Sequence, residues 1–387
     1  MKILYHHRTL GDGAEGIHVR EMVKAFRDLG HEVRVIGPVG ESVPTESRKS
    51  RLLGNVKKML PSAAYEVLEI AYTAHAFWET SREIRTFRPD FVYDRYIAFN
   101  AGTVLAARRH RVPVILEVNA PLALERGSEP DEKLTFRTIA SRMESWVCSS
   151  ATRTVVVSTP LKTYLEAIGV PAGQCVVMPN GVDPVRFLPR DKNPALLAEL
   201  GIPADRAIVG FTGILRPWHG LDLLLQAMAN VVRTGAPVCL LIVGDGPYRA
   251  TIEQIVAKLG LQRSVVVTGR VAHERVPDLV ALFDVAVSPS ATFYASPMKV
   301  IEYMALGKAV VVPETPNFLD IIDDGINGIT FLQGDADGLG RALARLCGSP
   351  ALRDQLGCQA RRKVEGRLNW RWNADAVCRL VETRTVN

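Results

Sequence analysis

A lysine and a glutamate one helical turn apart, Lys299 and Glu302, are the residues whose type and spacing point most directly to chemistry. An apolar strand predicted over 285–288 leads through a turn with Ser and Pro into the helix that carries them. Both side chains therefore project from one face of that helix. Pro297 suits a first helical turn, where the free N–H groups of Met298 and Lys299 form an anion site. A phosphate bound there would lie beside Lys299, and Glu302 could accept hydrogen bonds from sugar hydroxyls. The alternative is an ion pair on the surface of an ordinary helix.

A second set of candidate anion ligands follows the strand predicted over 207–212. Arg216 lies in a glycine-bounded loop, with His219 three residues later. An arginine can hold phosphate oxygens through two parallel hydrogen bonds, and a histidine can donate one more. Splitting a nucleotide-diphosphate sugar without a metal requires such groups where negative charge develops on the departing diphosphate. Arg216 alone would fit an ordinary surface loop, but beside the helix start at Lys299 it favours a diphosphate site.

A glycine-rich loop is predicted between the first strand and the helix that bears His18. Gly11, Gly13 and Gly16 would let a diphosphate or an acceptor approach the backbone closely. Their spacing matches a dinucleotide-binding fingerprint in letters only, because no acidic residue ends the second strand, predicted over 33–37, to hold a ribose. We therefore disfavour an oxidoreductase.

The composition is that of an ordinary globular protein with room for two domains in its 387 residues. No apolar run approaches the roughly 18 residues needed to span a bilayer. The first residues lead directly into a strand without a signal-peptide pattern, so we expect a cytoplasmic protein. The six cysteines show no metal-finger spacing, and the net charge of +6 fits anionic partners.

Part of that charge lies in the basic segment, residues 48–60, where Lys and Arg alternate with apolar residues. Such a segment can bind peripherally to an anionic membrane surface. It can equally be a solvated helix whose Lys and Arg stems cover apolar neighbours. Nucleic acid is a poorer partner, because no aromatic stacking pattern or known binding module accompanies the charge.

Strand and helix patterns alternate along the chain, which favours an α/β fold with parallel sheets. We expect an N-terminal domain over 1–183, a C-terminal domain over 184–368 and a final helix over 369–387. Ligands of such sheets bind at the carboxyl ends of the strands. The predicted strands run over 2–6, 33–37, 91–94, 114–118, 154–157 and 175–178 in the first half, and over 207–212, 238–243, 265–268, 285–288 and 309–312 in the second.

Six segments, in the same order, resemble the retaining GT-B glycosyltransferases of family four, and the match covers nearly the whole chain. The resemblance implies two Rossmann-like domains with parallel sheets facing a central cleft, the first for the acceptor and the second for the donor, with the last helix crossing back to the first. It implies sugar transfer from a nucleotide-diphosphate sugar, with UDP favoured, to a hydroxyl, with retention and without metal or cofactor. The segments are 11–16, 179–183, 213–220, 243–247, 268–271 and 296–308.

The same resemblance assigns the donor site. His219 stands where most members have a lysine, and Tyr294 where they have a glutamate that touches the sugar, so the donor sugar stays open. Arg216 and Lys299 would stabilise the diphosphate during catalysis, Glu302 would bind the ribose, and backbone groups would bind the base. The expected donor residues are Gly13, Arg216, His219, Gly244, Arg270, Val271, Tyr294, Ser296, Met298, Lys299 and Glu302.

The acceptor is expected in the N-terminal domain. Asn119 lies near the place of a histidine in many relatives and counts here as a third catalytic residue. It cannot act as a base, but in retaining transfer on one face of the sugar the leaving phosphate oxygen takes the proton. Tyr93 and Arg95 follow a strand and either shape the acceptor pocket or simply pack. The expected acceptor residues are Glu15, Gly16, His18, Tyr93, Arg95 and Asn119.

A lipid-linked glycan or polysaccharide precursor is the favoured acceptor, because the basic segment suits the inner membrane face; a soluble natural product is the alternative. Two other functions remain open, a nucleotide-sugar epimerase of similar shape and a non-catalytic nucleotide-sugar-binding protein. The pair Asp335 and Asp337 resembles a metal-binding D-x-D motif in letters only, and capping of the next helix explains it.

Overall fold

The computed structural model describes residues 1–9, 13–37, 62–128 and 134–382. It divides into two compact units: the first unit comprises Met1–Met178 with Trp370–Asn387, and the second unit comprises Pro179–Asn369. Each unit contains a six-stranded sheet whose paired strands are parallel. This is the two-domain α/β architecture that the alternating patterns predict. The basic segment and Gly11 lie outside the described residues.

The sheet of the first unit has the strand order β2-β1-β3-β4-β5-β6. Its strands are β1 (Lys2–His6), β2 (Glu32–Ile36), β3 (Phe91–Arg95), β4 (Val114–Val118), β5 (Arg153–Val156) and β6 (Cys175–Val177). The helices between them are α1 (Gly13–Asp28), α2 (Ser62–Phe87), α3 (Gly102–His110), α4 (Leu122–Ser128), α5 (Arg137–Ser150) and α6 (Thr159–Ala167).

The sheet of the second unit has the order β12-β11-β10-β7-β8-β9. Its strands are β7 (Ala207–Thr212), β8 (Val238–Val243), β9 (Val265–Val267), β10 (Val285–Val287), β11 (Ala309–Pro313) and β12 (Ile329–Phe331). Its helices are α7 (Pro194–Glu199), α8 (Leu221–Arg233), α9 (Arg249–Lys258), α10 (Val276–Ala281), α11 (Met298–Ala305), α12 (Pro316–Leu319), α13 (Ala336–Cys347) and α14 (Pro350–Gly366).

The last helix, α15 (Trp370–Glu382), packs against α1 in the first unit. The ring of Trp370 lies 4.6 Å from that of His18 on α1, measured between centroids. Ala374 and Val377 continue the buried stripe of α15. The chain thus returns to its first unit after completing the second, as the resemblance implies.

The strands of the second unit are apolar because helices cover both faces of the sheet. Every residue of β8 and of β11 is buried, as is typical of parallel sheets enclosed by crossover helices. The strand order jumps so that β7 and β10 become neighbours, with Val285 opposite Val209. Because the strands are parallel, the loops that follow β7 and β10 leave the sheet side by side at its carboxyl edge.

Two sequence expectations differ from the structure. The helix predicted from residue 17 begins at Gly13, so Gly13–Gly16 are its first turn and the predicted loop over 11–16 is wrong for these residues. The apolar stripe marks only the buried face, which starts after the first turn, whereas Glu15 favours a helix start through the helix dipole. The strand β12 was not predicted, because three residues are too few for a period to be read.

Candidate functional site

The loops after β7 and β10 contact each other at the carboxyl edge of the second sheet. Gly220 ends the first loop with a φ of +68°, and a Cβ built there would lie 3.0 Å from Cβ of Ser290 in the second loop. Gly213 begins the first loop with a φ of +143°, a conformation that side chains rarely adopt. A single small surface therefore carries residues from two segments that lie about eighty positions apart in the sequence.

A buried tyrosine fixes helix α11 against the end of β7. The Tyr303 hydroxyl accepts a hydrogen bond from Thr212 N at 2.7 Å and shares a second one with Thr212 Oγ1 at 2.9 Å. Tyr303 is fully buried. Lys299 lies one turn before it on α11, so this anchor determines where the lysine amine is held.

The Lys299 amine is buried and lacks a hydrogen-bond partner among the described residues. Its Nζ lies 4.2 Å from the centroid of the Phe211 ring. A Cβ built on Gly213 would come within 2.8 Å of the same nitrogen, so a glycine is needed there. Burial lowers the pKa of Lys299 to about 7, against a raising effect of Glu302. Because the buried amine still has hydrogen bonds to donate, it can bind an anion whose oxygens accept them.

His219 lies beside this amine. It ends a 3-10 turn, Pro217–His219, and its ring centroid is 5.5 Å from that of Phe211. Its Nδ1 is buried without a hydrogen-bond partner among the described residues. Burial, followed by the charge of Lys299, lowers the pKa of His219 to about 4, with Arg216 adding to the effect. The imidazole is therefore neutral at neutral pH, and its unpartnered nitrogen can bind a ligand.

Arg216 completes the group of predicted diphosphate ligands. Its side chain is exposed, and its guanidinium lies 5.4 Å from the ring centroid of Trp218. It is close enough to lower the pKa of His219, as Lys299 also does. The structure thus brings Arg216, His219 and Lys299 together at the edge of one unit.

Glu302 lies on α11 with Lys299, and its side chain is buried. The alternative of an ion pair on the helix surface is therefore wrong. Burial raises the pKa of Glu302 to about 7, while Arg186 and Lys299 oppose that rise. A carboxyl in this state both accepts and donates hydrogen bonds near neutral pH.

Two asparagines support the loop that precedes α11. Asn180 donates from its backbone N to Ser296 Oγ at 3.0 Å and from Nδ2 to the Ser296 carbonyl at 2.9 Å. Asn317 donates to the carbonyls of Thr292 and Ala295 at 3.3 and 3.0 Å. Within this loop the ring of Tyr294 meets that of Phe293 edge to face. Met298 follows at the first position of α11.

Three of the four remaining predicted donor residues follow β8 and β9, and the fourth lies in the first unit. Gly244, directly after β8, forms a backbone bridge with Gly269, which follows β9. A Cβ built on Gly244 would lie only 2.0 Å from the Gly213 carbonyl oxygen, so the backbones of the loops after β7 and β8 are in contact. Arg270 is exposed and Val271 half-buried directly after that pair. Gly13, the last predicted donor residue, is an exposed position at the start of α1 in the first unit.

In the first unit, four predicted acceptor residues share one partner, Glu117 on β4. Its carboxylate accepts from Tyr93 at 2.6 Å and from Arg95 at 2.7 Å, pairs with His18 Nε2 at 2.9 Å, and accepts from Asn119 Nδ2. Burial opposes ionisation of Glu117, but the charges of His18 and Arg95 outweigh it and hold the pKa of the carboxyl well below its usual range. The sequence indicated the surrounding residues but not this central one.

The other two predicted acceptor residues lie elsewhere in α1. Glu15 is exposed and accepts a hydrogen bond from Thr9 at 3.0 Å, and Gly16 is buried in the first helical turn. Neither joins the group around Glu117. Sequence reasoning passed over Glu117 because an acidic residue near the end of an otherwise apolar strand was treated as part of the strand; an uncompensated charge in a buried strand is the signal that would have found it.

Two sequence models of glycosyltransferases match this chain. "Glycosyltransferase Family 4" matches residues 15–186, and "Glycosyl transferases group 1" matches residues 193–363. The chain belongs to the group 1 glycosyltransferases. In this group 1 glycosyltransferase, the match over residues 193–363 includes Arg216, His219 and Lys299.

Curated relatives are glycosyltransferases with different printed substrates. The 2-deoxystreptamine glucosyltransferase of Streptomyces kanamyceticus is 25% identical over 87% of this chain and 90% of its own length. The alpha-D-kanosaminyltransferase of the same organism is 28% identical over 39% of each chain. The GDP-mannose-dependent alpha-(1-6)-phosphatidylinositol monomannoside mannosyltransferase of Mycolicibacterium smegmatis is 27% identical over 57% of this chain and 59% of its own. The last two matches span less than two thirds of those relatives.

Solved structures share the fold. HepE of Anabaena, in complex with UDP, gives a TM-score of 0.72 at 18% identity, covering 99% of this glycosyltransferase and 100% of that chain. Sucrose-phosphate synthase of Thermosynechococcus elongatus gives 0.71 at 20% identity, covering 100% and 99%. The group 1 glycosyltransferase therefore has a two-domain α/β GT-B fold.

Three further features bear on membrane and metal binding. No helix within the described ranges is long and apolar enough to cross a bilayer. Over the same ranges, no three or more His, Cys, Asp or Glu side chains are grouped as metal ligands would be. Asp335 caps α13 by accepting from Gly338 N at 2.8 Å, as its position in the sequence predicts.

Proposed function

We propose that this protein is a retaining, metal-independent glycosyltransferase that moves a sugar from a UDP-linked donor to a hydroxyl acceptor. The proposal is carried by one observation: beside His219 and Arg216, the buried amine of Lys299 has no hydrogen-bond partner in the part of the chain that the structure describes. A departing diphosphate supplies the negative charge that these groups lack. Lys299 and Arg216 would stabilise that charge, the neutral His219 would accept a hydrogen bond from the donor at Nδ1, and Glu302 would bind ribose hydroxyls.

The second unit would hold the donor. The N–H groups at the start of α11 would bind a phosphate with Lys299 beside it. The loops at Gly244 and after Gly269 would approach the nucleotide with backbone groups, since glycine lets them do so. Tyr294 would face the sugar in place of the glutamate that is usual in the family.

The first unit would hold the acceptor. Glu117 would position His18, Asn119, Tyr93 and Arg95, whose remaining hydrogen-bonding capacity suits a polyhydroxylated molecule. In the proposed reaction no side chain needs to remove the acceptor proton, because the leaving phosphate oxygen takes it on the same face of the sugar.

A binding screen followed by product analysis tests this function. UDP and UDP-sugars should raise the unfolding temperature, because a ligand that binds only the native state stabilises it. UDP-sugar should then be consumed with transfer to an acceptor or slow hydrolysis, and NMR should show an anomeric configuration like that of the donor. Binding without turnover would indicate the non-catalytic alternative, and turnover of donor alone to an isomeric sugar nucleotide would indicate an epimerase.

UDP is the proposed carrier of the donor sugar. The structurally similar HepE binds UDP, whereas one relative is named as dependent on GDP-mannose. The proposed base contacts are made by backbone groups, which select poorly between bases. Calorimetry with UDP, GDP and ADP decides the point, and tighter binding of GDP or ADP would replace UDP in the proposal.

For the acceptor we propose a lipid-linked glycan, met at the inner membrane face through the basic segment. The relative named for a phosphatidylinositol monomannoside supports this class. The 2-deoxystreptamine glucosyltransferase, which matches over 90% of its length, favours a soluble aminocyclitol-like acceptor as the second candidate. Co-sedimentation with anionic liposomes should be lost when the five Lys and Arg residues of the basic segment are neutralised; unchanged co-sedimentation, or none by the wild type, would favour the soluble acceptor.

A further inference from the structure

The donor site proposed above is unusual in that its principal cation is held where water cannot solvate it. Lys299 Nζ is buried, has no hydrogen-bond partner within the described ranges, and faces the ring of Phe211 at 4.2 Å. An ammonium ion normally makes three hydrogen bonds. A charged amine that is buried without a hydrogen-bond partner is costly in free energy. In the empty site the neutral form of Lys299 is therefore favoured relative to an amine in water.

The charges around Lys299 oppose this effect of burial only in part. On its own helix it faces Glu302, which is itself raised to a pKa of about 7 by burial and therefore supplies a partial negative charge near neutral pH. On the loop after β7 lie His219, which is neutral because its pKa is lowered to about 4, and the permanently charged Arg216. Arg186 acts on Glu302 from the segment before β7. The single carboxyl, itself partly protonated near neutral pH, therefore offsets only part of the effect of burial on Lys299.

We propose that the Lys299 amine takes up a proton from solution when the diphosphate of a nucleotide binds, so that donor binding by this protein is proton-linked. The proposal rests on the proposed function. The arriving phosphate oxygens would accept hydrogen bonds from Nζ and replace the missing counter-charge, which makes the ammonium the favoured form. The proton moves from solvent to Nζ, and no covalent bond changes.

The sign of the pH dependence follows from linkage. Burial lowers the pKa of Lys299 to about 7 in the empty site, and a bound phosphate raises it. A ligand that raises the pKa of a group binds more weakly as the pH rises above the pKa of the free site. Between pH 8 and pH 9 the Kd for UDP should therefore increase by about tenfold. A site with a permanently charged lysine would show no such change in this range.

The test is calorimetric titration of UDP into the full chain at pH 8, in three buffers of different ionisation enthalpy, none of them phosphate. The observed enthalpy should vary with the buffer, with a slope corresponding to uptake of about 0.8 proton, since about nine tenths of Lys299 is then neutral and Glu302 releases about a tenth. At this pH the terminal phosphate of UDP is already ionised. Uptake of at least half a proton supports the proposal, and a smaller value overturns it.

Two variants identify the group responsible. Lys299→Arg keeps a charge that cannot be lost, so UDP should still bind while proton uptake falls to near zero. Lys299→Met should bind UDP more weakly at pH 7 and show a Kd independent of pH between 8 and 9. Proton uptake that persists in either variant would overturn the assignment to Lys299.

Lys308 supplies a matched control. Burial also lowers its pKa, to about 8, but its Nζ donates to the Ala281 carbonyl at 2.7 Å and it precedes β11, at the opposite edge of the sheet. Lys308→Arg should leave the proton uptake unchanged, and melting curves show that each variant is folded. If none of UDP, GDP and ADP binds, the proposed function fails; if the nucleotide that binds does so without proton uptake, only the proton linkage fails.

Discussion

Two buried nitrogen atoms of the second unit, Lys299 Nζ and His219 Nδ1, have no hydrogen-bond partner among the residues that the structure describes. Buried polar atoms in native proteins are nearly always hydrogen-bonded, so each exception calls for a reason. Both nitrogens lie near one ring, that of Phe211, and a nucleotide sugar would bring phosphate oxygens for Nζ and a hydroxyl donor for Nδ1.

The first prediction concerns turnover. Arg216→Ala and Lys299→Ala should each lower kcat by about 10²-fold or more, the scale of losing one donor to developing charge. Steady-state kinetics with a UDP-sugar measure the effect. Arg190→Ala is the matched control, because Arg190 is a similarly exposed arginine that pairs with Asp278 away from the site. Wild-type kcat in either site variant would contradict the assignment.

The second prediction tests the position of the amine. Gly213→Ala places a methyl group within 2.8 Å of Lys299 Nζ, so UDP binding should weaken by about tenfold or more, as measured by calorimetry. In a Lys299→Ala background the same substitution should change UDP binding little, because contacting residues are not additive. Gly235→Ala controls for backbone strain, since Gly235 has a φ of +80° and open space around it.

At the scale of elements, the donor site depends on the way α11 is attached to β7. The hydroxyl of Tyr303 makes this attachment by accepting a hydrogen bond from Thr212 N, at the end of β7. A periodic pattern places Tyr303 on the buried side of the helix, but it does not show which backbone group the hydroxyl meets.

Our third prediction is that Tyr303→Phe lowers the free energy of unfolding by about 1–3 kcal/mol, because Thr212 N is left buried without a partner. Denaturant titration followed by fluorescence measures this. Tyr65→Phe should cost much less, since the hydroxyl of Tyr65 makes no hydrogen bond within the described ranges. Equal stability losses in the two variants would show that Tyr303 is not an anchor.

The fourth prediction concerns the elements joined by Glu117, namely α1, β3 and β4. Its carboxyl has a lowered pKa in the folded chain, so its stabilising effect is present above about pH 4.5 and is lost as the pH falls further. Glu117→Gln should lower stability at pH 7 by about 3 kcal/mol, since His18 and Arg95 lose their counter-charge. The variant should also lose less stability than the wild type between pH 5 and pH 3; an equal loss would exclude this role.

At the scale of the whole molecule, the chain crosses from its second unit back to its first through α15. Trp370, Ala374 and Val377 bury their side chains there, against the helix that carries His18. The first unit therefore needs the last residues of the chain to complete its core.

The fifth prediction follows from this return. Deleting residues 370–387 should destabilise the first unit by about 5 kcal/mol or more, given three buried apolar side chains and the surface they cover on α1. Hydrogen exchange should show the loss in β1 to β4, with β7 to β11 unchanged. Equal loss of protection in both units would mean that the last helix stabilises the chain in some other way.

Sequence patterns predicted the strands well because each is an apolar run closed by a turn, and burial on both faces of a parallel sheet demands such runs. Eleven predicted strands lie within a residue or two of those observed. Gly13–Gly16 were assigned to a loop, because glycine weakens a helix pattern even where the first helical turn accepts it. The role of Glu117 escaped notice because its four partners come from four separate places in the sequence.

Local period and residue identity were enough to predict the alternating α/β order, the apolar strands and the chemical types near the proposed donor site. The folded chain was needed to show that the Lys299 amine is buried beside Gly213, and that one carboxylate joins His18, Tyr93, Arg95 and Asn119. Burial and contact between distant segments arise when strands take their order in the sheet, and that order is a property of the assembled chain.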